Sequence, residues 1–389
     1  MYRIVLFLVL AVFLHSCQGT DGSYSPSDQD VLEGTFGNAI NLSAPLPYKN
    51  NQIPAYIRYE TNGNDIDNDK ATLGRVLFYD KQLSINNSIS CASCHQQARA
   101  FSDNAVGSLG VNGTTTKHTM RLINVGFQEG SRYFWDERAA SIEDQVLQPI
   151  KDHIEMGFSA ENGAPSFDDL INKLSQVPYY PVLFKHVYGD ETVNDERIKE
   201  SLSHFVRSLQ SFDSKFDAGL AATGNFMDPF ANYTPSENRG KLLYNTLPSA
   251  GGAGCVSCHA APEFAITDNI HNNGVIGSLA NPVVFEHNNT RSPSMRDLTN
   301  TSGLLNSPLM HNGIFSSLEQ MIAHYNDIDM TNQILLDPLL MQSRSSGGFE
   351  GQKLHLSNAD KTALAAFLKT LSGTDIYTNP KWSNPFKNP

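Results

Sequence analysis

Two C-x-x-C-H runs, CASCH at Cys91–His95 and CVSCH at Cys255–His259, constrain this chain more than any other feature in it. In such a run two thiols and an imidazole leave one helical turn together, as covalent c-type haem attachment requires: the sulfurs add to the vinyl groups and the His ligates the iron. A lone C-x-x-C also suits a zinc knuckle or a redox dithiol. Here the cysteines close without remainder. Of the five, Cys91, Cys94, Cys255 and Cys258 fill the two runs and Cys17 belongs to the N-terminal segment, so none is left for a structural disulfide. The expectation is two haem c groups, with His95 and His259 as proximal ligands.

The N-terminus reads as an export signal, with Arg3 ahead of an apolar run from Ile4 to Leu14 that is too short for a membrane span. Leu14-His15-Ser16-Cys17 is similar to a lipobox, although His15 is an unusual occupant, so lipidation at Cys17 and plain cleavage both stay open. The expected location is the periplasm, with membrane contact only through such an anchor. Residues Gln18 to Gln29 have the polar composition of a flexible tether. The balance of 28 Lys+Arg against 40 Asp+Glu argues against a nucleic-acid partner, which requires a basic footprint.

The chain also looks duplicated. Segments with helical apolar spacing, Leu73–Asp80 and Arg239–Asn245, precede the two haem runs, and Phe101–Asp103 and Phe264–Asp268 follow them. Thr116–Asn124 resembles Thr290–Leu298, and Phe134–Val146 matches Met310–Ile322 without a gap. Between the halves, Asp195–Phe216 has the periodicity of a connecting helix, followed by loop over Asn225–Pro235. Ser357–Leu371 reads as another helix, with Ser357 as N-cap, Asp360 in the first turn and Gly373 as a stop. Strand-like alternation is scarce. The expected fold is mostly α, with two cytochrome c-like domains, each around one covalent haem, and long loops that the cofactor organises. The expected division is 1–17 signal, 18–50 tether and N-terminal extension, 51–220 first haem domain, 221–375 second haem domain, and a tail over 376–389 that wraps the surface.

With LGRVLFYDKQLSINNSISCASCHQQARAFSD, FWDERAASIEDQVLQPIKDHIEMG, CVSCHAAPEF and LMHNGIFSSLEQMIAHYN, the chain resembles the bacterial di-haem cytochrome c peroxidases, a family that includes the MauG-type oxidases. The similarity runs from about Ile53 to Leu371. It implies that the N-terminal haem binds peroxide and the C-terminal haem stores or relays an electron. Peroxide cleavage needs an open iron face and a group that moves a proton between the two oxygens. The resemblance puts Glu155 in that role with Gln145 beside it and Pro149, which cannot ligate iron, over the same haem. It places Trp135 between the haems and His311 near their interface. Without it, Glu155 reads as a solvated glutamate, Gln145 as a helix residue and Trp135 as core.

Three positions depart from the peroxidase pattern. Where that branch ligates the second haem through Met, the matching residue is Tyr325, as in the MauG-type branch, with His324, Met321 and Met330 as rivals. No His stands near Gly110–Val111, where many members hold a resting distal ligand; the only one in that interval is His118. His118 itself matches an Asn that helps hold an inter-domain calcium, which leaves Asn306 and the Pro308 carbonyl as the remaining contributors. The leading reading is a peroxidase reducing hydrogen peroxide to water with electrons from a small c-type cytochrome or cupredoxin. A MauG-type oxidase of a protein or organic substrate, and a non-catalytic electron carrier, are the alternatives. The family also suggests a homodimer.

Overall fold

The computed structural model describes residues 26–57, 65–127, 132–265, 272–277, 279, 290–291, 293–330 and 336–388. The expected signal and lipobox, Cys17 included, lie outside the described residues, as does Asp268. The helices in chain order are α1 (Pro26–Phe36), α2 (Asn68–Tyr79), α3 (Cys91–Cys94), α4 (Ile142–Val146), α5 (Gln148–Lys151), α6 (Phe167–Ser175), α7 (Tyr179–Tyr188), α8 (Asp195–Arg207), α9 (Lys215–Thr223), α10 (Pro235–Asn245), α11 (Leu318–Asn326) and α12 (Asn358–Lys369). Strands are confined, among the described residues, to two antiparallel ribbons. One pairs β1 (Leu109–Gly110) with β2 (Gly113–Thr114), and the other β3 (Met341–Ser343) with β4 (Phe349–Gly351). The architecture is helix-rich, as the scarcity of alternation predicts.

Each half is built on one helix crossing. Asp67 caps α2 by accepting from the amides of Asp69 and Lys70, and Leu73, Val76 and Leu77 are buried against α8. At the crossing Gly74 meets α8 so closely that a Cβ there would stand 2.0 Å from the Ser201 carbonyl oxygen. The second half repeats the device: Thr234 and Glu237 form a capping box on α10, and a Cβ on Gly240 would stand 1.9 Å from the Ala363 carbonyl oxygen of α12. Only glycine allows these backbones to approach so closely. The duplication extends to the turns. The Tyr133–Ala139 bridge recurs as Leu309–Phe315, and Phe134 (φ 71°) as Met310 (φ 73°). The Ser141 cap of α4 recurs as the Ser317 cap of α11.

Two apolar cores result. The first takes Leu32 to Leu209 together with Ile376 and Trp382, and the second takes Phe216 to Leu371. Five expectations change. The tether read over Gln18 to Gln29 gives way to α1 from Pro26, which buries Leu32 and Phe36 in the first core. The helix read over Asp195–Phe216 ends at Arg207, since Asn124 draws the next stretch out by pairing with both Ser211 N (2.8 Å) and Ser211 O (3.0 Å). With the helix broken there, α9 joins the second core through Phe216 and Leu220, ahead of the expected boundary at 220. The tail does not merely wrap the surface: Trp382 is 2% exposed, its Nε1 donates to Ser208 Oγ (3.1 Å), and Arg75 Nε donates to the Ser383 carbonyl (2.6 Å). Ser357 caps α12 as expected, but the helix closes at Thr370, and Gly373 instead donates its amide to Asp297 Oδ1 at 2.9 Å.

Candidate functional site

Two cavities open on the two C-x-x-C-H runs. The first, of about 390 Å³, is lined by Cys91, Cys94 and His95 and also by Gln145, Pro149 and Glu155. The second, of about 580 Å³, is lined by Cys255, Cys258 and His259 and also by Met310, His311, Met321 and Tyr325. The structure thus gathers Gln145, Pro149 and Glu155 around the first run and His311, Met321 and Tyr325 around the second, all of them named from the sequence.

The motif geometry suits haem better than zinc. Cys91 opens the single turn of α3, and His95 Nδ1 sits 2.9 Å from the Phe101 carbonyl. That contact puts the ring proton on Nδ1 and leaves Nε2 as a lone-pair donor, the usual way of orienting a metal-binding imidazole. Burial pulls His95 down to about 4, so the ring is neutral. Burial also pushes the thiols of Cys91 and Cys255 up to about 12. Among the described residues no cluster of three or more His, Cys, Asp or Glu side chains is arranged to hold a metal ion.

Glu155 is half-buried in the first cavity, and burial, with the Asp152 carboxylate beside it, pushes its carboxyl up to about 7. Its backbone is held from two directions. Asp152 Oδ1 accepts from its amide at 2.9 Å, and its carbonyl accepts from Val111 N at 3.0 Å. Val111 and Asn112 form the turn between β1 and β2, and Asn112 N adds a bond to the Ile154 carbonyl at 3.2 Å. The stretch where the family often holds a distal His is here a hairpin that pins Glu155. Sequence reasoning missed this, because a two-residue strand leaves no periodicity to read.

Six residues line both cavities and so form the wall between them: His118, Thr119, Met120, Arg121, Trp135 and Arg291. Trp135 is buried, with its ring centroid 6.3 Å from that of His311. His118 N donates to the His311 carbonyl at 2.7 Å, and Arg291 N to the Trp135 carbonyl at 2.8 Å. The wall is thus stitched from both halves. His118 keeps Nδ1 against the Ala105 carbonyl at 2.9 Å, and burial pulls the ring down to about 4.

In the second cavity, Tyr325 OH accepts from Asn273 Nδ2 at 3.2 Å, and burial raises its phenol above the ordinary value. Among its rivals, Met321 lines the same cavity, whereas His324 and Met330 do not; His324 Nε2 instead lies 2.8 Å from the Asn273 carbonyl. Met310 and Asn273 were not singled out by sequence reasoning. Met310 had a signal, since it stands in the gapless repeat opposite Phe134.

Asn306, one of the two expected calcium donors, is engaged by other groups. The Asn306 carbonyl accepts from Arg99 Nη1 at 3.2 Å, and Asn306 Nδ2 is spent on the Asp297 carbonyl and Tyr377 OH. Arg121 donates to Ser307 Oγ beside it at 3.3 Å. Guanidinium groups supply the positive charge here.

Comparisons with known proteins agree with this geometry. Residues 68–225 match the family described as di-haem cytochrome c peroxidase. The chain is 27% identical over 318 residues to the methylamine utilization protein MauG of Methylophilus methylotrophus, covering 80% of this chain and 84% of that one. It is 26% identical over 314 residues to the cytochrome c551 peroxidase of Nitrosomonas europaea, covering 78% and 80%. The crystal structure of a MauG-like protein associated with microbial copper homeostasis superposes with a TM-score of 0.66 at 26% identity, over 86% of this chain and 99% of that chain. Paired C-x-x-C-H cavities, a shared wall and these relatives point one way: residues 68–225 match the di-haem cytochrome c peroxidase family, and about four-fifths of the chain is similar to MauG and to cytochrome c551 peroxidase.

Proposed function

We propose that the protein is a periplasmic peroxidase carrying two haem c groups, which reduces hydrogen peroxide to water with electrons from a small c-type cytochrome or cupredoxin. Cys91, Cys94 and His95 would hold one haem, and Cys255, Cys258 and His259 the other. A haem held there would supply the electrons that cleave the O–O bond. The observation that carries the reading is Glu155, a carboxyl pushed up to about 7 in a cavity where Phe134, Gln145 and Pro149 provide no iron-binding atom of ordinary strength. A carboxyl near neutrality can take the proton from the near peroxide oxygen and return it to the leaving one. Gln145 orients the bound peroxide by hydrogen bonding, and Trp135, in the wall common to both cavities, passes electrons across it.

Tyr325 in the second cavity favours one other reading, a MauG-type oxidase acting on a protein or organic substrate with the same Glu155 chemistry. An electron carrier would have no use for a carboxyl over an open iron face. The test is peroxide-dependent oxidation of a reduced small cytochrome by the fully oxidised protein, beside Glu155→Gln and after pre-reduction. Turnover from the oxidised protein that Glu155→Gln abolishes supports the peroxidase. Turnover only after pre-reduction points to a resting ligand on the first haem, with His118 the first to test. Peroxide oxidation of the protein that the cytochrome cannot discharge would overturn the peroxidase and favour the oxidase.

A further inference from the structure

The gapless repeat that aligns Phe134–Val146 with Met310–Ile322 continues to Pro149 opposite Tyr325. In the first cavity the aligned positions hold Phe134, Gln145 and Pro149; in the second they hold Met310, Met321 and Tyr325. The first set offers iron no thioether or phenolate, and the second offers it three such donors. Two of the three are gathered by one group. Asn273 Nδ2 lies 3.2 Å from Tyr325 OH and 3.3 Å from Met310 Sδ, so these two atoms are no farther apart than the sum of those contacts. Met321 has no such link to Asn273 among the described bonds.

We propose that Met310 is a second axial ligand for the haem iron held by His259, exchanging with Tyr325 according to the oxidation state of that iron, with Asn273 positioning both. This rests on the haem reading above and deepens it. An anionic phenolate is a hard donor suited to the oxidised iron, whereas a thioether is soft and raises a haem's potential by favouring the reduced state. When a reduced one-electron carrier delivers its electron, the iron–oxygen bond to Tyr325 breaks, the phenolate takes one proton from water, and Met310 Sδ donates a lone pair to the vacated position. Reoxidation reverses each of these events. The Asn273 amide holds whichever donor is off the iron within reach, so the exchange needs only side-chain movement. Met310 sits in a left-handed backbone conformation (φ 73°), shared with Phe134 (φ 71°). The turn therefore belongs to the repeat, while the sulfur is particular to the second half.

The experiment uses the full haem-loaded protein and reads absorption and electron paramagnetic resonance in both oxidation states, with the midpoint potential of the second haem. Met310→Leu conserves volume and is expected to leave the oxidised spectrum unchanged, to convert the reduced second haem to a high-spin, carbon-monoxide-binding form, and to lower its potential. Tyr325→Phe is expected to show thioether ligation in both states, with a raised potential. A reduced spectrum unchanged in Met310→Leu, or an oxidised second haem left high-spin in Tyr325→Phe with Met310 present, overturns the exchange. Met321→Leu serves as control, and loss of thioether features in that variant assigns the ligand to Met321 and overturns Met310. These readouts need no peroxide, so failed peroxide turnover with intact ligand exchange would sink the peroxidase reading alone.

Discussion

Trp135 Nε1 donates to the backbone carbonyl of His118 at 2.8 Å, inside the wall that both cavities share. The indole is therefore fixed in orientation as well as buried. The residue supplying that carbonyl also donates its own amide to His311 in the second half.

Trp135→Phe keeps a ring in the wall but removes the donor, leaving a buried carbonyl unpaired at a cost of about 1–3 kcal/mol. The variant is expected to lose that much stability in denaturant unfolding. Stopped-flow measurement should also show slower oxidation of the reduced second haem by peroxide. A normal electron-transfer rate in a correctly folded variant would reduce Trp135 to a packing residue.

Glu155→Gln should lower turnover on the order of 10²–10⁴-fold, the usual contribution of one acid-base group. In the wild type the base form is required, so turnover should rise with pH and level off above about 7, where the carboxyl is ionised. The stability effect runs the other way. A carboxyl raised by burial is protonated in both states below its unfolded value of 4.5, so it costs nothing there; the penalty grows as pH rises and is complete above about 7. It amounts to at most about 3 kcal/mol before solvent screening. Glu155→Gln should therefore match the wild type near pH 4 and exceed it in unfolding midpoint at pH 8. A variant no more stable at pH 8 would contradict the burial argument.

Gly74→Ala and Gly240→Ala test whether the halves are one design used twice. Each adds a methyl group against a main-chain carbonyl that cannot step aside without separating two helices. Overpacking of this kind costs about 1–3 kcal/mol or more. The expected result is a matched pair of destabilised variants, each first losing order around its own cavity in hydrogen exchange. Unequal responses, with one variant near wild type, would show that one crossing has slack.

The features legible in the sequence were those carried by short-range chemistry. Cys91, Cys94 and His95 must share a turn to serve one macrocycle, so the motif states its own geometry. The repeat joining Trp135 to His311 could likewise be read without knowing the fold. Legibility failed where a tertiary partner decides the outcome. The periodicity over Asp195–Phe216 was sound, yet Asn124, far away in sequence, breaks the helix by offering Ser211 a better partner. Trp382 looked like tail because nothing nearby announces the slot beside Ser208. Asn273 had no signal of its own, since its importance lies in the two side chains it reaches.

The Arg99–Asn306 contact leads to the last prediction. A bound cation draws on carbonyl oxygens aimed at it, but the Asn306 carbonyl already accepts from Arg99 Nη1. A calcium ion there would face a fixed positive charge at close range with no carboxylate among the proposed donors to offset it. Dialysis against a calcium chelator should therefore leave turnover, the spectra of both haems and the unfolding midpoint unchanged. Arg99→Met should instead lower stability by about 1.5–3 kcal/mol, the worth of a hydrogen bond to a charged group. Loss of activity on chelation, restored by added calcium, would show that the guanidinium does not take the cation's place.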